Sequence, residues 1–205
     1  MNEKRKILKD FIVLEGLDGS GTTTQLKLLT EALLSHGSSV FSTCEPSPLP
    51  TGKIIRQVLE KEISVEAETL ARMFSADRYE HLYGKSDGII KHLKDGDVVI
   101  TDRYLFSSLA YQSLGCDFDF VKQLNPYPLP EYLVYVDVTP ETCRERMTGR
   151  ELEELFDGDD IQMRIVSNYE RGMAAFPESG MKLLRIDGHQ GPDEICSEIL
   201  AGIGR

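Results

Sequence analysis

Short, almost uninterrupted apolar runs alternate along the chain with longer stretches in which hydrophobic residues recur every three or four positions. The runs Phe11–Glu15, Ser39–Cys44, Val98–Thr101, Leu133–Asp137 and Lys182–Ile186 have the length and the Val, Ile, Leu and aromatic content of parallel strands covered on both faces. The periodic stretches Thr23–Ser35, Gly52–Glu60, Val65–Lys94, Ser107–Leu124, Pro140–Met147, Asp160–Ala175 and Pro192–Ile203 predict helices. This rhythm, joined by right-handed crossovers, predicts an α/β fold of about five parallel strands with helices on both faces. Two interruptions stand out. Asn125–Glu131 carries Pro126, Pro128 and Pro130 and cannot continue a helix, so it delivers the chain into the fourth strand. Thr148–Asp160 is crowded with charge and contains Gly149 and Gly158, which reads as a short exposed loop or lid.

Composition narrows the function classes. The chain has 205 residues, a length that favours one domain spanning 1–205 with the lid at 148–160. Its 34 acidic against 23 basic residues give a net charge of −11, which opposes broad binding to nucleic-acid polymers or anionic membranes. A local anion pocket remains compatible with that charge. No apolar stretch approaches the roughly 20 residues that span a bilayer, and the charged lead-in Met1–Asp10 lacks a signal-peptide core, so a cytoplasmic protein is expected. Cys44, Cys116, Cys143 and Cys196 are widely spaced and read as reduced packing or surface residues.

The first apolar run leads into Gly16-Leu17-Asp18-Gly19-Ser20-Gly21-Thr22-Thr23-Thr24-Gln25 and then into a helical pattern. Strand, glycine loop and helix in that order turn successive amides toward an anion at the helix N-terminus, so the loop can hold nucleotide phosphates. Thr23 occupies the Ser/Thr position of G-x-x-x-x-G-K-[ST], whose hydroxyl helps to coordinate Mg²⁺, but Thr22 stands where that motif has lysine. The substitution replaces a cation with a neutral hydrogen-bonding group.

Further along come Thr43-Cys44-Glu45-Pro46, Thr51–Arg56, Phe74–Arg78, Asp102-Arg103-Tyr104, Ser107–Gln112 and Leu133–Pro140. With this ordered series the chain resembles the thymidylate kinases, nucleoside monophosphate kinases of the P-loop class, over nearly its whole length. The resemblance implies a P-loop kinase fold, Mg²⁺ and ATP as the phosphoryl donor, dTMP as the acceptor, and a homodimer. It implies ATP-phosphate contacts by Gly16, Leu17, Asp18, Gly19, Ser20, Gly21, Thr22, Thr23 and Thr24. Thr23 and Asp102 would organise the metal, and Arg103 would take the dTMP phosphate. Asp18 would approach the sugar 3′-hydroxyl, and Tyr111 would oppose a ribose 2′-hydroxyl. Phe74 would stack on thymine, Arg78 would bond its carbonyl edge, and Ser108 and Gln112 would lie near that edge. Glu45 and Pro46 would shape the loop after the second strand, with Arg56 near the acceptor.

Taken without the resemblance, these residues have plainer readings. Phe74 could be core and Arg78 a surface ion-pair partner; Asp102 and Arg103 could be a structural pair; Asp18 could only shape its turn. Ser108 and Gln112 could be exposed helix polarity, and Arg56 an exposed arginine. The chain also departs from the family pattern. Cys44 stands where arginine is common before Glu-Pro, and Glu153-Glu154 stands where the lid often has an acidic residue followed by arginine. Arg144, Arg146 and Arg150 are candidates to restore the missing charge, with Arg146 or Arg150 preferred; the alternative is that they neutralise the acidic lid. Besides dTMP phosphorylation, two functions stay open: a kinase for another nucleoside monophosphate, or a catalytically weak regulatory protein that binds nucleotide.

Overall fold

The computed structural model describes residues 5–147, 159–177 and 179–205. Strands β1 (Ile7–Glu15), β2 (Val40–Cys44), β3 (Val98–Asp102), β4 (Leu129–Asp137) and β5 (Lys182–Asp187) form one sheet in the order β2-β3-β1-β4-β5. Every neighbouring pair is parallel, as the apolar runs predict. The helices among the described residues are α1 (Thr22–Ser35), α2 (Pro50–Leu59), α3 (Ala67–Tyr83), α4 (Ile89–Asp95), α5 (Leu105–Tyr111), α6 (Phe118–Leu124), α7 (Pro140–Met147), α8 (Asp159–Ala174) and α9 (Pro192–Gly202).

Alternation along β1 shows why its apolar run is continuous. Phe11 and Val13 join a core shared with Leu82 of α3, Leu109 of α5, Val121 of α6 and Ile165 of α8. Ile12 and Leu14 point the other way, into a core with Leu29 and Leu33 of α1 and Ile195 and Ile199 of α9. Both faces are covered, so neither can be polar. A smaller cluster of Ile55, Val58 and Leu70 packs α2 on α3.

Four boundaries differ from the sequence pattern by more than two residues, each for a local reason. The stretch 65–94 is two helices rather than one, because the chain turns tightly at Gly84 and Gly88: the Gly88 amide donates to the Gly84 carbonyl at 3.0 Å, and a Cβ at Gly88 would lie 2.5 Å from that oxygen. The stretch 107–124 breaks after α5 into a 3-10 turn, Gln112–Leu114, and α6 restarts on Asp117, whose carboxylate accepts from the Asp119 and Phe120 amides. β1 starts at Ile7, with the register shift between Leu8 and Ile12 placed around Asp10 at φ 56°. β4 likewise starts at Leu129 and includes Pro130, which pairs with β1 before the β5 ladder begins at Tyr132. On that still unpaired side a missing N–H costs no ladder bond.

The registers Leu14↔Asp102 and Cys44↔Asp102 bring the C-terminal ends of β1, β2 and β3 to one level. Site residues of open α/β sheets gather at such an edge.

Candidate active site

β1 runs straight into the phosphate loop. Gly19 and Gly21 adopt φ +85° and +99°, a region costly for any residue with a Cβ. At Gly19 a Cβ would also stand 2.6 Å from the Cys143 carbonyl oxygen, so the loop is pressed against α7. α1 begins directly after Gly21, its N-cap, with no side chain capping the first amides. These amides are thereby left for an anion. Arg146, in the last turn of α7, donates to the Ser20 carbonyl at 3.4 Å and to the Gly188 carbonyl at 2.9 Å. Its guanidinium therefore sits on the phosphate loop itself. Arg150 and the lid residues up to Gly158, including Glu153 and Glu154, fall outside the described residues. Thr22 is buried.

Thr23 Oγ1 donates to Asp102 Oδ2 at 2.6 Å. The other oxygen, Asp102 Oδ1, is buried and without a hydrogen-bond partner in the structure. A hydroxyl and a carboxylate with a spare acceptor, next to phosphate-binding amides, suit a Mg²⁺ ion that keeps most of its ligands as phosphate oxygens and water. No cluster of three or more His, Cys, Asp or Glu side chains suited to a metal occurs among the described residues, so a dedicated protein cage for the ion is not formed by them.

Arg103 follows β3 with its backbone in the left-handed region, φ +71°. One nitrogen, NH2, donates to Asp18 Oδ1 at 2.5 Å. The other, NH1, reaches the Gly16 carbonyl at 3.2 Å, Ser107 Oγ at 3.0 Å and Tyr169 OH at 3.1 Å. Tyr111 donates its hydroxyl to Asp18 Oδ2 at 2.9 Å and lies under the guanidinium, 5.0 Å from ring centroid to Cζ. Asp18 thus binds residues from two other segments, which is more than shaping its own turn requires.

Glu15 is a residue whose importance the sequence pattern does not announce beyond one cue, a charged residue closing an apolar strand. It is fully buried. Its Oε1 accepts from the Tyr104 and Ser107 amides at 2.8 and 3.1 Å, and its Oε2 from Ser107 Oγ and Tyr169 OH at 2.5 and 2.9 Å. Burial pushes its carboxyl up from 4.5 to about 7, against the opposing pull of Arg103 and these donors. The folded protein therefore holds this proton more tightly than the unfolded chain, and the stability Glu15 contributes is lost as pH rises through about 7. Relative to Glu15→Gln, the parent protein is expected to lose about 2 kcal/mol between about pH 5.5 and pH 8. Urea unfolding of both proteins at the two pH values checks this, and parallel stability curves would contradict it.

On the far side of Arg103, Arg78 is completely buried rather than a surface ion-pair partner. Its Nε and NH2 donate to Glu45 Oε2 at 2.8 and 2.6 Å, NH2 also reaches Ser108 Oγ at 3.1 Å, and NH1 bonds Asn125 Oδ1. Glu45 Oε1 faces His81 Nδ1 at 3.3 Å, and His81 Nε2 pairs with Thr43 Oγ1 at 2.7 Å. Asp77 accepts from the Ser47 amide, Ser47 Oγ and Thr51 Oγ1, fastening the loop after β2 to α3. Asp77, His81 and Asn125 escaped the sequence reading because their partners lie 26 to 47 positions away. Arg56 is exposed and caps the same loop, donating to the Pro46 carbonyl at 2.5 Å and approaching Cys44 Sγ at 3.6 Å. Phe74 is half-buried, packed against Ile55, Val58 and Leu70. Ser108 and Gln112 are buried rather than exposed, and Gln112 Oε1 has no hydrogen-bond partner. Gln112 and Tyr111 line a groove of about 250 Å³ whose opposite wall includes Val58 and Leu70. The structure thus joins Asp18, Arg103 and Tyr111 in one unit, Thr23 with Asp102, and Glu45, Arg78 and Ser108 in another, with Arg56 bonded to Pro46 from α2 and Phe74 packed from α3 against Ile55, Val58 and Leu70.

The parallel sheet, the glycine loop at a helix N-terminus and the Thr23–Asp102 pair define a kinase of the P-loop α/β class. The thymidylate kinase family model matches residues 14–199, and the chain belongs to that family. Among curated proteins it is similar to a thymidylate kinase homologue of Treponema pallidum, 38% identical over 95% of this chain and 94% of the relative. Relatives bearing the same family name from Pyrococcus horikoshii and Methanococcus aeolicus are 38% and 36% identical, covering 93% and 94% of this chain and 94% and 95% of their own.

Proposed function

We propose that this chain transfers the γ-phosphoryl group of Mg-ATP to dTMP, giving ADP and dTDP. The observation that carries the reading is the Asp18–Arg103–Tyr111 unit, which joins the phosphate loop to an arginine suited to an acceptor phosphate. In this reading the amides leading α1 hold the ATP phosphates, and Arg103 aligns the acceptor phosphate so that its oxygen attacks directly. No covalent enzyme intermediate is required. Mg²⁺ would be held by Thr23 and Asp102 and would neutralise phosphate charge. Ser108, Gln112 and the spare NH1 hydrogen of Arg78 offer hydrogen bonds to a pyrimidine edge, and Phe74 offers an aromatic face. The reading also carries a homodimer working in the cytoplasm; the exposed Ile54, Tyr79 and Tyr83 on α2 and α3 support a second copy. The same reading carries a single domain over 1–205; the lid expected at 148–160 falls, up to residue 158, outside the described residues.

A turnover assay that detects the diphosphate product, run with dTMP, dUMP, UMP, CMP, AMP and GMP, tests the reading. Preference for dTMP is expected. Equal efficiency with AMP and dTMP defeats it, and nucleotide binding without turnover returns the regulatory alternative that Thr22 raises.

Arg146 is the described cation placed to stand in for the missing loop lysine, because it already contacts the Ser20 carbonyl. Arg146→Ala is expected to lower kcat about tenfold with a smaller change in ATP affinity. Thr22→Lys should recover part of the loss in the Arg146→Ala background and less in the parent. Additive effects would show that the two positions act separately.

A further inference from the structure

We propose that Glu15 and Tyr169 are positioning residues for phosphoryl transfer, acting on Arg103 through two hydroxyl groups. The inference rests on the reading of Arg103 as the acceptor-phosphate ligand. Arg103 NH1 is held by the Gly16 carbonyl, Ser107 Oγ and Tyr169 OH. Two of those three acceptors are hydroxyls, and a hydroxyl accepts well only when its own proton points elsewhere. Glu15 Oε2 is the shared charged acceptor for both protons, 2.5 Å from Ser107 Oγ and 2.9 Å from Tyr169 OH, and it outcompetes the 2.9 Å contact between the two neutral hydroxyls. In its ionised form the carboxylate therefore turns the lone pairs of both oxygens toward the guanidinium. At the opposite end Asp18 takes NH2. The fork is thus clamped between the phosphate loop and α8, the helix that carries Tyr169.

The arrangement is more than a buried polar knot closing β1 against α5 and α8. A merely structural hub needs only its donors and acceptors satisfied, and Glu15→Gln preserves that. The amide oxygen can replace Oε1 opposite the Tyr104 and Ser107 amides, and the amide nitrogen can donate to both hydroxyls. One lone pair of each is then taken by the amide and each hydroxyl proton loses its acceptor on residue 15 and must turn elsewhere, that of Tyr169 to the Gly16 carbonyl at 3.1 Å. Packing survives while the orientation of the acceptors facing Arg103 is lost. Tyr169→Phe removes one of those acceptors outright with nearly the same volume.

The test is a double-mutant cycle on the full chain: Glu15→Gln, Tyr169→Phe, Arg103→Ala and the two combinations with Arg103→Ala. Each is assayed with Mg-ATP and dTMP and followed by thermal melting at one pH. Glu15→Gln and Tyr169→Phe are each expected to lower kcat on the order of tenfold, leave KM for ATP nearly unchanged, and have no further effect once Arg103 is alanine. Equal losses with and without Arg103 would overturn the proposal, as would kcat per folded molecule equal to that of the parent. Should Glu15→Gln fail to fold, the Tyr169→Phe cycle decides alone. Full activity of Arg103→Ala would instead sink the reading of Arg103 on which the proposal rests, and the proposal with it. A crippled Arg103→Ala beside an unimpaired Glu15→Gln and Tyr169→Phe would sink the positioning role only.

Discussion

Arg78→Ala is expected to destabilise the protein by about 3–5 kcal/mol, because it strands a buried carboxylate. The Arg78 and Glu45 side chains are 1% and 3% exposed, so water cannot take over the lost hydrogen bonds. Ser108 Oγ and Asn125 Oδ1 lose their donor in the same step. A double variant, Arg78→Met with Glu45→Leu, should cost less than either single change, since it removes both charges together. Urea unfolding of Arg78→Ala, Arg78→Met, Glu45→Leu and the double variant decides the matter, and a loss under about 1 kcal/mol for Arg78→Ala would show that the pair is not strongly coupled to folding. Acceptor kinetics of Arg78→Ala report a thymine contact only when normalised to folded protein. Any loss of dTMP use otherwise mixes that contact with the collapse of the loop that Glu45 and Asp77 hold.

β1, β3 and β4 were legible because each is an apolar run largely buried on both faces, and β2, β3 and β5 match their runs to within one residue, while β1 and β4 each start four residues early. Lys9 and Asp10 hid the start of β1, since a charged pair at an irregular register breaks the apolar signature. Helix breaks at Gly84–Gly88 and at Gly115–Asp117 were readable in principle from glycine spacing and the Asp117 cap, but periodicity on either side spans them. The phosphate loop was the most legible part of the site, because its chemistry lies in consecutive residues. Asp18, Arg103 and Tyr111 meet across 85 and 93 positions, and only their place in an ordered family pattern pointed to one another. Glu15 and Tyr169 are 154 residues apart. Nothing in the local sequence of either distinguishes a hub from a strand end or a core tyrosine.

Arg103→Ala is expected to lower kcat/KM for dTMP by about 10²–10³-fold, the range seen when a preorganised charged donor to a transferring group is removed. Its effect on the fold should be far smaller, and the geometry says why. The Asp18 and Arg103 side chains are 26% and 18% exposed, so the carboxylate can rehydrate and keep its bond from Tyr111. Alanine meets the same left-handed backbone demand as arginine at φ +71°, so the backbone term is nearly unchanged. Ser107 Oγ and Tyr169 OH keep Glu15 as their acceptor. A stability loss of about 1 kcal/mol therefore accompanies a catalytic loss of about 3–4 kcal/mol, and the difference between the two assigns the residue to chemistry. Arg103→Lys sharpens the point: an ammonium keeps the charge but cannot span Asp18 and the Gly16 carbonyl while presenting a fork to phosphate. It should recover only a small part of the lost rate. Full recovery by lysine would show that charge alone suffices there, and undiminished turnover of Arg103→Ala would remove Arg103 from the site.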